Sequence, residues 1–321
     1  MQYTIEVEGL VKRFGATTAL AGLDLSVRPG AVLGVLGPNG AGKTTAVRIL
    51  ATLLQPDAGR AAVCGFDVIR RPDEVRRRIG LTGQYASVDD NLTGRENLAL
   101  IGSLLDLGRR RASTRASELL AQFDLEGAAD RPVKTYSGGM RRRLDLAASL
   151  VAQPAVIFLD EPTTGLDPHK REEVWAMIRA LTAGGSTVLL TTQYLDEADA
   201  LADEIVVIDA GRAIAHGTPP ELKQLVGRQT LRVRPSDPSR MSEVGSLLHE
   251  VTGQTPTSPG IGELAVRVDG DAVMTRTVAL LAERGIGVTE LALHLPGLDE
   301  VFTALTGHGV ADEAGNEEDA A

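Results

Sequence analysis

The sequence is poor in residues that build covalent or metal-held scaffolds. With a single cysteine no internal disulfide can form, and Cys64, in Ala61-Ala62-Val63-Cys64-Gly65, reads as a small buried hydrophobe in a reducing compartment. The five histidines are scattered and suggest no metal site. No apolar run approaches the ~18 residues of a membrane span, and residues 1–13 lack a signal-peptide core, so the chain reads as neither membrane-spanning nor secreted. Basic charge is also short, 33 Lys and Arg against 43 Asp and Glu, a net −10. The imbalance is local: residues 1–230 hold 27 basic and 28 acidic side chains, the last 91 hold 6 and 15. A chain-wide phosphate-neutralising surface is thereby excluded, and with it general nucleic-acid binding.

What is present is ample apolar material, 43% of 321 residues, enough for one large domain and a smaller one. Tyr3, Ile5 and Val7, and again Leu23, Leu25 and Val27, alternate with polar residues, the period of half-exposed strands in an edge sheet. By contrast 31–36, 155–159, 188–190 and 205–208 are unbroken apolar runs separated by helix-length stretches, as in a doubly wound parallel sheet buried on both faces. Residues from about 85 to 151 are rich in Leu, Ala and Arg and read as a helical subdomain. After Gly227 the texture changes. Strand patterns at 231–234, 263–268 and 288–293 and helical patterns at 241–251 and 271–284 predict an accessory α/β domain over 229–307, entered through a linker at 227–230. Residues 308–321 are acidic and read as a disordered tail.

Gly37-Pro38-Asn39-Gly40-Ala41-Gly42-Lys43-Thr44-Thr45 follows a buried strand and opens a helical stretch, with the Gly-x4-Gly-Lys-Thr spacing of a P-loop. Glycines let backbone N–H groups converge on phosphate oxygens, and the helix offers its positive end. Lys43 then reaches the β- and γ-phosphates and the Thr44 hydroxyl ligates Mg²⁺. A second buried strand ends in Asp160-Glu161-Pro162, where Asp160 can hold hydrated Mg²⁺ and Glu161 can take a proton from an attacking water. Ser137-Gly138-Gly139 precedes an amphipathic helix on which Met140, Leu144, Ala147, Ala148 and Val151 share a face. This is a second anion-binding helix start, with Ser137 as N-cap. Two such sites in a chain with one P-loop imply a head-to-tail homodimer, Ser137 and Gly139 of each subunit touching the nucleotide held by the other.

These motifs, in this order from Tyr3 to about Thr218, resemble the ATP-binding subunits of ABC transporters. The resemblance implies a P-loop ABC-type α/β domain, with parallel core sheet, antiparallel edge sheet and helical subdomain, over 1–228 and the small α/β domain behind it. It implies further roles: Phe14 stacking on adenine, Gln84 as the Q-loop glutamine that senses Mg²⁺ and the membrane partner, Ser137-Gly138-Gly139 as signature, and Asp167 in the D-loop. Three positions depart from the usual pattern. Tyr136 and Met140 flank the signature in place of Leu and Gln, and Gln193 stands where the family has a switch histidine, so it can donate to the γ-phosphate but carry no charge.

The stretch from Gln193 to Asp199 and the segment from Leu298 to Gly307 are similar to the daunorubicin and doxorubicin resistance branch of that family. That branch implies a cassette at the cytoplasmic face of the membrane, bound to a separate permease subunit that exports drug-like molecules. ABC-type ATPases of DNA repair or the ribosome are the alternative, and a P-loop kinase has no use for Ser137-Gly138-Gly139. Two features admit a plain and a sharper reading. Leu298, Val301, Phe302 and Leu305 either pack on their own domain or stabilise a dimer. The arginine triplets 76–78, 109–111 and 141–143 are either solvated helix faces or, in the helical subdomain, a surface for lipid headgroups or an acidic coupling helix.

Overall fold

The computed structural model describes residues 2–83, 88–225, 229–260, 262–268, 270–294 and 297–306. It divides into two compact units, Met1–Pro219 and Pro220–Ala321. In the first, β1 (Ile5–Phe14), β2 (Thr17–Val27), β3 (Val32–Leu36), α1 (Lys43–Leu50), β4 (Ala58–Val63), β5 (Phe66–Asp67), α2 (Pro72–Arg76) and β6 (Ile79–Thr82) come first. Three helices follow, α3 (Gly94–Leu104), α4 (Arg109–Gln122) and α5 (Gly138–Ser149). The unit closes with β7 (Val156–Asp160), α6 (Pro168–Ala183), β8 (Thr187–Thr192), α7 (Leu195–Leu201), β9 (Glu204–Asp209) and β10 (Arg212–Gly217).

A six-stranded sheet, in the order β10-β9-β3-β8-β7-β6, is parallel throughout except for the β9–β10 hairpin. Its inner strands are the unbroken apolar runs, and every residue of β3, β7 and β8 is buried. The alternating segments form a separate antiparallel sheet, in the order β2-β1-β4-β5. β6 carried no strand signal because it is four residues long and contains Gly80. The missing side chain is what its place requires, since a Cβ there would stand 2.4 Å from the carbonyl oxygen of Ser149 at the end of α5. Between residues 88 and 151 the described chain is helical. α3 opens on a reciprocal cap, Thr93 accepting from the Glu96 N–H while the Glu96 carboxylate accepts from that of Thr93.

The second unit contains α8 (Pro219–Leu225), β11 (Gln229–Pro235), α9 (Met241–Thr252), β12 (Leu264–Val268), α10 (Asp271–Glu283), β13 (Val288–His294) and α11 (Leu298–Thr306). The strands make an antiparallel sheet, in the order β12-β11-β13, over a core that includes Leu231, Val233, Val244, Leu247 and Val266. The division falls after Pro219, ahead of the boundary expected at residue 228. Gln229 and Thr230, read from sequence as linker, are already in β11, paired with Val268 and Arg267. The rest of that linker, 227–228, and the acidic tail lie outside the described residues. On α11, Leu298, Val301 and Phe302 are buried within this chain and Leu305 is half-buried. Among the described residues no helix is long and apolar enough to cross a membrane.

Candidate nucleotide site

The loop between β3 and α1 has its geometry dictated by glycine. A Cβ on Gly37 would lie 2.3 Å from the Ile208 carbonyl oxygen, and one on Gly42 2.4 Å from that of Ala19. Gly42, at φ 106, is the N-cap of α1 and supplies no side-chain cap; no acidic residue occupies the first turn. The N–H groups of that turn are therefore left for an anion. Lys43 is 5% exposed, and its Nζ donates to the carbonyls of Gly37 (2.6 Å) and Pro38 (3.0 Å). Phe14, Ala19, the loop 38–45 and Glu161 line a cavity of about 350 Å³ beside it.

The end of β7 meets this loop directly. Thr44 Oγ1 lies 3.2 Å from Asp160 Oδ1, and the same oxygen accepts from the buried Thr191 hydroxyl at 2.6 Å. Glu161 adopts φ 50, a left-handed conformation that side chains disfavour. Its N–H donates to the carbonyl (3.1 Å) and hydroxyl (3.2 Å) of Thr191, and its Oε2 accepts from Thr164 Oγ1 at 3.3 Å. A hydroxyl and a carboxylate this close form a hard-oxygen pair that fits a divalent cation of Mg²⁺ type.

Other sequence-selected residues are not gathered into the cavity. Ser137 and Gly138 are exposed and do not line it. Ser137 caps α5, accepting from the Met140 N–H at 3.2 Å, and no acidic residue occupies the first turn. Asp167 caps α6 through the Lys170 N–H, and Lys170 holds its carboxyl below the ordinary value. The Lys170 stem would be 3.3 Å from a Cβ on Gly139, which sets the D-loop beside the signature. Gln193, half-buried just past β8, does not line the cavity either; its neighbour Tyr194 stacks under Arg171 at 4.1 Å. Gln84 lies outside the described residues.

Three residues escaped the sequence reading. Thr191 is the donor that orients Asp160. Glu197 on α7 is fully buried and accepts from Trp175 Nε1 at 3.2 Å; burial pushes its carboxyl up, opposed by the Thr192 and Thr163 hydroxyls and the indole beside it. Arg142 corrects the view of 141–143 as a solvated face. Its Nε donates to the Pro162 carbonyl (2.7 Å), Nη1 to that of Gly83 (3.3 Å) and Nη2 to that of Glu161 (3.4 Å). Burial pushes the guanidinium below its usual range, against the pull of Asp145, Glu197 and Asp160.

A family model described as ABC transporter matches residues 20–164. The chain is 55% identical to a daunorubicin resistance ATP-binding protein, DrrA2, of Streptomyces coeruleorubidus, over 95% of this chain and 96% of the relative. It is 53% identical to the daunorubicin/doxorubicin resistance ATP-binding protein DrrA of Streptomyces peucetius, over 98% and 95%. Among solved structures it resembles cbiO1 from Clostridium perfringens, part of an ABC transporter complex, with TM-score 0.65, 27% identity and coverage of 70% of this chain and 94% of that one. A dimeric post-hydrolysis ATP-binding cassette with ADP and Pi bound is similar at TM-score 0.61 and 25% identity, covering 67% and 98%.

Proposed function

The chain belongs to the ATP-binding subunits of ABC transporters, in the daunorubicin and doxorubicin resistance branch, and from that premise we propose that it hydrolyses ATP to drive efflux of a drug-like molecule through a separate membrane subunit. In this reading it works as a head-to-tail homodimer at the cytoplasmic face of the membrane. The observation that carries it is the division of the site: the P-loop cavity contains Glu161 and abuts Asp160, while Ser137 and Gly138 stand exposed outside it.

Placement supports the roles of the cavity residues, and the family resemblance supplies the rest. The 37–45 backbone and Lys43 cradle the phosphates, and Phe14, half exposed at the cavity rim, is available to adenine. Thr44 and Asp160 would hold Mg²⁺, with Gln84 as a third candidate ligand, and the ion would supply neutralisation of phosphate charge. Glu161 takes the proton of the attacking water. Ser137, Gly138 and Gly139 of the second subunit close on the γ-phosphate from the other side, with Asp167 at the same seam. Gln193 donates an amide N–H to phosphate, without the charge of a histidine. A repair ATPase needs a long coiled coil in the insertion; the longest helix between 88 and 151 is α4, of 14 residues.

Replacing Glu161 by Gln tests the assignment. Turnover of purified protein is expected to fall by roughly 10² to 10⁴ with ATP binding retained, the usual worth of a general base. Wild-type turnover in that variant removes Glu161 from the role. For transport, ATPase activity of the chain co-purified with its membrane subunit should rise with drug-like compounds; a flat response across a panel counts against efflux.

A further inference from the structure

The three hydrogen bonds of Arg142 join parts of the chain that chemistry needs to move together. The guanidinium sits in the second turn of α5, five residues past Ser137, which is about 7.5 Å along the helix axis. It reaches two separate segments, Glu161 and Pro162 after β7 and Gly83 after β6, the residue before Gln84. All three acceptors are backbone carbonyls, so the contact fixes main-chain position, and the planar fork can serve three directions at once. At Glu161 this matters most. The peptide at φ 50 is held through its N–H by Thr191 and through its C=O by Arg142, so the carboxylate's direction depends on both.

We propose that Arg142 is a positioning residue for hydrolysis, a strut that ties the signature helix to the Glu161 backbone and to Gly83. Because α5 is stiff, engagement of Ser137, Gly138 and Gly139 with the nucleotide held by a second subunit bears directly on the same subunit's Glu161. One site's occupancy thereby sets the alignment of the other site's base. The proposal rests on reading Glu161 as the base and the signature as a contact to the second subunit's nucleotide.

The test uses the full chain and steady-state ATPase kinetics, with binding of a fluorescent ATP analogue and thermal melting on every variant. Arg142→Met is expected to lower kcat about 3- to 30-fold, the range of coupling through a relaying side chain, while KM and analogue affinity change by less than about twofold. Arg142→Lys should recover part of the loss, since an ammonium reaches one carbonyl but not three. Combined with Ser137→Ala, Arg142→Met should add little beyond the worse single change, because both act on one linkage. Wild-type kcat in Arg142→Met overturns the proposal, as do losses that multiply in the double variant. A collapse of melting temperature and analogue affinity together, unrelieved by Lys, also overturns it in favour of a purely architectural role. Glu161→Gln and Ser137→Ala run in parallel: wild-type turnover in those would refute the site reading itself, whereas their loss beside an unaffected Arg142→Met refutes only the strut.

Discussion

Replacing Thr191 by valine is the sharpest probe of how the carboxylate at the end of β7 is held. The side chain is fully buried, its hydroxyl donates to Asp160 Oδ1 at 2.6 Å, and Thr191 Oγ1 itself accepts the Glu161 N–H at 3.2 Å. Valine keeps the shape and removes only the hydroxyl, so no cavity term enters. Glu161 retains the Thr191 carbonyl at 3.1 Å and Asp160 retains Thr44 at 3.2 Å, so of the two hydrogen bonds lost the one to the charged Asp160 dominates. Such a bond is worth about 1.5–3 kcal/mol. For a unit of roughly 150–250 residues each kcal/mol shifts the midpoint about 2–4 °C, so melting of the ATP-binding unit should fall by roughly 3–12 °C. With Asp160 less well aimed, the Mg²⁺ dependence of ATPase activity should weaken by about 10- to 100-fold, as for other residues that orient a metal ligand. Thr191→Ser, which keeps the hydroxyl, should preserve Mg²⁺ dependence. A midpoint within about 1 °C of wild type, with unchanged Mg²⁺ response, would refute the reasoning.

Gln193→His restores the charge-capable residue of the wider family and should raise turnover; an unchanged rate shows that the amide is not limiting. Glu197→Gln tests the buried carboxyl by its pH signature. A carboxyl raised on folding binds its proton more tightly in the native state, so its favourable contribution is present at low pH and lost as pH climbs from the ordinary glutamate value of 4.5 through the raised one. Glutamine does not titrate, so the stability of the variant relative to wild type should increase as pH rises above about 4.5. Fluorescence of Trp175, the chain's sole tryptophan and the Glu197 partner, follows the melt; a difference independent of pH contradicts the assignment. Alanine at Gly42 would put a methyl 2.4 Å from the Ala19 carbonyl oxygen in a left-handed backbone, and should abolish nucleotide binding. Wild-type affinity in that variant would mean the loop adapts.

Residues whose work is local were legible from sequence. The P-loop, the acidic pair closing β7 and the capped start of α5 each declare themselves within a few residues, because a strand end or helix start supplies the geometry. Arg142 did not. It stands off the apolar stripe of its own helix, which suggested solvent, but carbonyls from positions 83, 161 and 162 bury it, and no helical period encodes them. Thr191 was hidden likewise, since a buried strand ending Thr191-Thr192 looks the same whether or not a carboxylate lies 31 residues upstream. At Gln229 and Thr230 polarity suggested linker where cross-strand pairing made strand.

The same distinction bears on why a subunit of this kind should need a second copy. Both helix starts that would bind phosphate, at Gly42 and at Ser137, lack acidic residues in their first turns, so each offers an uncompensated positive end. The first is fitted into a cavity of its own chain, and Ser137 and Gly138 do not line that cavity. The second is exposed, with Arg142 drawn inward beneath it and its guanidinium spent on backbone carbonyls rather than turned to solvent. Residues 1–230 are nearly neutral, 27 basic against 28 acidic, so net charge does not set two copies against each other. In the proposed dimer the negative charge of the nucleotide would be shared between a cradle and a cap on different chains. Association of the proposed dimer is therefore driven by the phosphate itself, and hydrolysis, by removing it, removes the reason for the two chains to stay closed.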